Sequence, residues 1–159
     1  MSGTDGEIQV KLKVNGRMRE VRVKPNERLI DTLREKLGLK SVKMGCLTGE
    51  CGTCTVLYNG QPVKSCLVLT AEADGKEVIT VEGLAGSDEM RRITEVFARN
   101  NAFQCGFCTP AFVLLAYWLM KVKPKATDEE ILEASNSILC RCTGYTQILQ
   151  ALKEAISRV

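Results

Sequence analysis

Met44-Gly45-Cys46-Leu47-Thr48-Gly49-Glu50-Cys51-Gly52-Thr53-Cys54 is the stretch from which the fold is read. It sets thiols at Cys46, Cys51 and Cys54, and Cys66 follows twelve residues further on. C-x4-C-x2-C with an outlying fourth cysteine is the spacing of a [2Fe–2S] site, in which a loop and a neighbouring strand offer four thiolates to two irons. Gly45, Gly49 and Gly52 have no Cβ, so the loop can take left-handed φ values and turn its amides inward. Such amides stabilise an anionic group and tune its potential.

Eight cysteines and no histidine dominate the composition of this 159-residue chain. Disulfides would suit a secreted protein, but segment 1–6 is polar, with no apolar signal region, and the length suffices for a core without staples. A cytoplasmic location is expected. Zinc often takes four cysteines, and Cys105-x2-Cys108 by itself suits zinc as well as iron. The first set does not, because x4 followed by x2 is not one of the usual zinc spacings. Without histidine, a Rieske centre and histidine-ligated zinc or haem are excluded. The net charge of +3 is scattered, with no basic stripe and stacking aromatics for nucleic acid. The apolar run 111–120 is too short for a bilayer, which needs about 20 residues.

Ile8, Val10, Leu12 and Val14 alternate with Gln9, Lys11 and Lys13, as in a half-buried strand. Asn15-Gly16 signals a hairpin, and residues 18–23 return until Pro25. Leu29, Ile30, Leu33 and Leu37 recur at helical spacing, with Gly38 as a stop. Beyond the cysteine loop, residues 55–58 form a strand, Asn59-Gly60 turns, and residues 63–69 return carrying Cys66. Residues 78–81 complete the sheet. The pattern predicts a small α+β domain of the β-grasp type over residues 1–82.

Residues 82–88, glycine-rich and small, read as a linker, after which the period changes from two to about 3.6. Helices are expected over 91–100, over 111–122 with Pro110 at its first turn, and over 131–139 behind a Thr127–Glu130 capping box. A last helix shows Ile148, Leu149, Leu152, Ile156 and Val159 on one face. Residues 83–159 therefore form a four-helix domain with its cysteines at helix ends. The x1 spacing of Cys140 and Cys142 demands a turn there, because i and i+2 do not share a helix face. Two turns of two thiols each can then close one cage, beside helix starts at Pro110 and Thr146 whose amides favour anions.

The first set, with Gln104-Cys105-Gly106-Phe107-Cys108-Thr109-Pro110 and Cys140-Arg141-Cys142-Thr143-Gly144-Tyr145, resembles the iron–sulfur subunit of the xanthine oxidase family of molybdenum hydroxylases. The resemblance covers residues 8–159. It implies a plant-type ferredoxin-like domain followed by a four-helix-bundle domain, each with a [2Fe–2S] cluster. Cys46, Cys51, Cys54 and Cys66 would hold the first, and Cys105, Cys108, Cys140 and Cys142 the second. It also implies that Gln104 hydrogen-bonds the pterin of a molybdopterin cofactor on a large partner subunit, with Cys142 against the same pterin and FAD on a medium partner subunit. The chain would relay electrons during aldehyde, heteroaromatic or carbon monoxide oxidation. By itself it would turn over no substrate, since no nucleophile–base pair or dinucleotide fingerprint is visible.

The residues alone leave plainer readings open. Gln104 can cap a helix or face solvent, Phe107 and Tyr145 can shield a cluster or simply pack, and Trp118 reads as core. Arg141 can offset cluster charge or meet a partner, and Glu50 should face solvent. Ala111 stands where the family usually has glycine, a change that only raises helix propensity. A free-standing two-cluster carrier and a zinc-stabilised interaction module are the rivals.

Overall fold

The computed structural model of the chain describes residues 6–157. Val159, expected on the face of the last helix, lies outside them, as do residues 1–5 of the polar start. The architecture is α+β. A five-stranded mixed sheet in the order β2-β1-β5-β3-β4 is followed by a group of helices.

Strand β1 (Ile8–Val14) pairs antiparallel with β2 (Arg17–Val23) across the expected Asn15-Gly16 turn. Asn15 and Gly16 both hold positive φ there, at 51° and 78°. Alternation sends Val10, Leu12, Val14, Val21 and Val23 into one core. Ile8 is exposed instead, because β1 meets its second neighbour only at Lys13 and Val14.

The helical segment after Pro25 differs from the expected α-helix. A short α1 (Leu29–Asp31) runs into a π-wound stretch, Thr32–Lys36, closed by the Leu37 amide on the Thr32 carbonyl. Leu29, Ile30 and Leu33 are fully buried, but the wider winding leaves Leu37 only partly so. The Thr32 hydroxyl lies 2.8 Å from that of Thr70 and donates to Glu27 at 2.7 Å, which joins this segment to the 3-10 turn Thr70–Ala73.

Strands β3 (Thr55–Tyr58) and β4 (Gln61–Lys64) form the second hairpin, and β5 (Glu77–Ile79) lies between β1 and β3. Two expectations are corrected here. The return strand ends at Lys64, and Cys66 sits in a 3-10 turn, Ser65–Leu67. The last strand stops at Ile79, so that Val81 leaves it to open a short helix, α2 (Val81–Leu84), which runs into the expected linker. Leu84 belongs to the helical core, so this segment is packed rather than free.

Helices α3 (Asp88–Arg99), α4 (Thr109–Val122), α5 (Asp128–Ser135) and α6 (Thr146–Ser157) make the second layer. Ser87 caps α3, and Thr127 with Glu130 forms the capping box of α5. Helix α5 ends at Ser135, short of the expected residue 139, which leaves 136–145 free to form a cysteine-bearing loop. Apolar nearly all round, α4 buries Phe112, Leu114, Ala116 and Leu119, because helices cover one side of it and β3 and β4 the other. Strand β3 is consequently buried on both faces. Val56 points into the sheet core and Leu57 into the helical one.

Candidate metal centres

All eight cysteines are free thiols. In the first set, the chain folds back so that amides reach sulfur. The Cys51 and Thr48 amides donate to Cys46 Sγ at 3.3 and 3.4 Å, and the Cys46 amide donates to Cys51 Sγ at 3.3 Å. The Cys51 amide first, then the hydroxyl and amide of Thr48, pull the Cys46 thiol down to about 6. The Thr53 hydroxyl lies 3.2 Å from Cys51 Sγ. Gly49 and Gly52 take left-handed φ as expected, but Gly45 does not. Its requirement is room, because a Cβ there would lie 2.7 Å from both Cys51 Sγ and Thr53 Oγ1. Leu47, a non-glycine at φ 60°, adopts the same left-handed region directly after Cys46, a feature that no sequence signal announced.

Cys54 and Cys66 form the inner half of this set, 2% and 5% exposed. Burial pushes the Cys54 thiol up to about 11, with the neighbouring Cys66 amide acting against it. Ser65 anchors the turn by donating to the Cys54 carbonyl through both its amide and its hydroxyl.

The second set repeats this division. Cys105 and Cys142 are exposed, with sulfurs 3.5 Å apart. Cys108 and Cys140 are buried beneath them. The Phe107 amide, then the Cys142 thiol, hold Cys105 below its usual range, while Cys105 raises Cys142. Burial pushes Cys108 up to about 12. Burial raises Cys140 too, but the hydroxyl and amide of Thr143 outweigh it and bring that thiol down. The Thr143 hydroxyl is 3.1 Å from Cys140 Sγ. Cys108 is the N-cap of α4 and α6 starts at Thr146, so two helix N-termini lie beside this set as expected.

Among the described residues no three such side chains converge on a single point; the thiols come as two pairs in each half. A two-iron group takes four cysteines, two for each iron, and fits that division. Inward amides suit its negative charge. The Thr109 hydroxyl, next to Cys108, is buried without a partner among the described residues. An unpaired buried donor costs about 1–3 kcal/mol, and an anionic cluster beside it would accept that bond.

One thiol of the first set also borders the second set. Cys51 and Thr53 share a cavity of about 290 Å³ with Cys105, Cys108, Cys140 and Cys142. Their adjacency was invisible in the spacing. A separate groove of about 320 Å³, between Thr55 on β3 and Lys123 past α4, contains no thiol.

The other singled-out residues divide. Gln104 is exposed beside Cys105 and caps nothing, and Glu50 faces solvent as expected. Phe107 is exposed at the mouth of the cavity, whereas Tyr145 packs on the helical core. Trp118 packs against that core but is only half-buried, and its Nε1 has no partner among the described residues. Arg141 is exposed, with no ion pair among the described residues. No described helix is long and apolar enough to cross a membrane.

Comparison with known proteins agrees with this geometry. A family model described as "2Fe-2S iron-sulfur cluster binding domain" matches residues 12–85, and one described as "[2Fe-2S] binding domain" matches residues 80–153. The small FeS subunit of nicotinate dehydrogenase from Eubacterium barkeri is 46% identical, across 95% of this chain and 96% of that one. The iron-sulfur-binding subunit of xanthine dehydrogenase from Escherichia coli O157:H7 is 40% identical, across 91% and 92%. Quinoline 2-oxidoreductase from Pseudomonas putida 86 contains a chain that superposes with a TM-score of 0.90 at 37% identity, covering 97% of this chain and 96% of that one.

Proposed function

This chain belongs to the iron–sulfur subunits of the xanthine oxidase family of molybdenum hydroxylases, and from that premise we propose that it is the electron-relay subunit of such a complex. Cys46, Cys51, Cys54 and Cys66 hold one [2Fe–2S] cluster, and Cys105, Cys108, Cys140 and Cys142 the other. When bound, each cluster supplies a one-electron couple, so the two electrons of a substrate oxidation leave singly.

The chain's own groups do the rest. Amides of Thr48 and Cys51 compensate the charge on Cys46, and burial of the Cys54–Cys66 and Cys108–Cys140 pairs keeps water from the inner half of each cage. The exposed Cys142 and the unengaged Gln104 leave one edge of the second cage open to a partner. We assign to that edge the pterin of a molybdopterin cofactor on a large subunit, contacted by Gln104 and Cys142. The first cage, of Cys46, Cys51, Cys54 and Cys66, would serve FAD on a medium subunit. The division between the two domains falls between residues 82 and 83, and the complex is cytoplasmic. Its substrate is an N-heteroaromatic ring, by analogy with relatives named for nicotinate, xanthine and quinoline. Selection of that ring rests with the large subunit.

The observation that carries the reading is the shared cavity, which Cys51 of the first set lines together with all four thiols of the second. Purification of the native assembly tests it. Molybdenum, flavin, about four irons per chain and two paramagnetic signals after dithionite support the relay. A monomer with full iron and no companion subunits would instead be a free-standing carrier. A colourless preparation containing zinc would overturn both.

A further inference from the structure

We propose that Gly52 is a positioning residue that sets the separation of the two iron–sulfur sites, its missing Cβ answering to the helical half of the molecule as well as to the left-handed turn of its own loop. The proposal rests on the reading of both cysteine sets as cluster ligands.

Gly52 is buried between Cys51 and Cys54 with φ +66°. A Cβ there would lie 2.0 Å from the Ser137 carbonyl oxygen and 3.0 Å from both Ile138 Cα and the Ser137 carbonyl carbon. All three are backbone atoms, so no change of rotamer relieves the clash. Gly49 in the same loop makes the contrast. The three atoms nearest its Cβ would all belong to the exposed Leu67 side chain, from 2.6 Å, and that side chain can swing away.

Neither wall of the seam can retreat freely. On the loop side, the Gly52 carbonyl accepts from the Thr55 amide at 3.1 Å and the Thr55 hydroxyl at 2.7 Å, which ties it to β3. On the other side, Ile138 is fully buried in the helical core. The Leu139 amide donates to the Cys51 carbonyl at 2.8 Å, and Cys140 follows immediately. One missing methyl group thus lets a ligand-bearing turn of each half touch backbone to backbone. Ordinary contact begins at 3.4 Å, so alanine at this position would drive residues 137–139 outward by roughly 1.4 Å. Cys140 would move with them.

The test is Gly52→Ala in the assembled complex. Iron content and both paramagnetic signals of the reduced protein should persist, while the magnetic interaction between them is lost or weakened. Electron exchange between the sites, followed as flavin reduction after rapid mixing with substrate, should slow several-fold. Leu139→Pro, which removes the amide that bonds Cys51 and also fixes φ at position 139 and restricts Ile138, should weaken the interaction in the same direction, and decides the matter if the alanine variant does not fold. Unchanged interaction and exchange in either variant overturn the proposal. So does loss of the N-terminal signal alone in Gly52→Ala, which would place the need for glycine in the cage itself. Absence of iron from the parent protein is a different failure, since it removes the cluster reading before any variant is compared.

Discussion

The hydroxyl of Tyr145 accepts a 2.9 Å hydrogen bond from the amide of Cys140. Tyr145 holds a left-handed φ of 69°, its amide donates to the Thr143 hydroxyl at 3.3 Å, and its ring packs on the helical core. The buried cysteine of the second set is thereby positioned from a helix-packed anchor. Tyr145→Phe keeps the ring but leaves the Cys140 amide without that acceptor, at a cost of about 1–3 kcal/mol in denaturant unfolding. The paramagnetic signal of the C-terminal cluster should shift and the N-terminal one should not. A shift in the N-terminal signal alone would contradict this anchoring.

The two ligand groups should separate by mutation. Cys142→Ser is expected to remove or alter one signal of the dithionite-reduced protein and spare the other, and Cys51→Ser to do the reverse. If either change removes both signals, the grouping of four and four is wrong.

Leu57 lies on a strand but is buried among helical residues. Leu57→Ala should cost about 2–5 kcal/mol, the usual range for a truncated core leucine. Its particular consequence is weaker attachment of the sheet to α4. Limited proteolysis should then cut the chain between β5 and α3 faster than in the parent. An unchanged cleavage rate would show that the halves are held together without this side chain.

Glu82 ties the segment after β5 to the loop that leads into the first cysteine set. It accepts from the Ser41 amide at 2.9 Å and from the Ser41 and Thr80 hydroxyls at 2.5 Å each. Burial raises this carboxyl, but the donors from Ser41 and Thr80 outweigh it and hold it below its ordinary value of 4.5. A depressed carboxyl contributes stability that is present above 4.5 and lost as the pH falls through its lower folded value. Glu82→Gln should therefore unfold at lower denaturant than the parent at pH 7, and the two should converge in acid. Equal midpoints at pH 7 would remove this role from Glu82.

Local features were legible before any coordinates. The Asn15-Gly16 and Asn59-Gly60 turns, the Thr127–Glu130 capping box and the apolar period of α4 each depend on residues within a few positions of one another. Where the reading missed, a distant contact had prevailed. Residues 32–36 wind as a π-helix whose Thr32 bonds Thr70, and Cys66 leaves the strand for a turn held by Ser65 against Cys54. The glycine at position 45 serves space and not φ, because Cys51 and Thr53 approach it.

By itself the amino-acid order determined the number of thiols, their grouping into two runs and the α+β succession of elements, since spacing and hydrophobic period act along the chain. Only the tertiary structure decided that each group divides into an inner and an outer pair, that Cys51 shares one cavity with the second group, and that Gly52 meets Ser137. Those relationships join residues up to almost a hundred positions apart, and close packing between the sheet and the helices, which no local pattern encodes, brings them together.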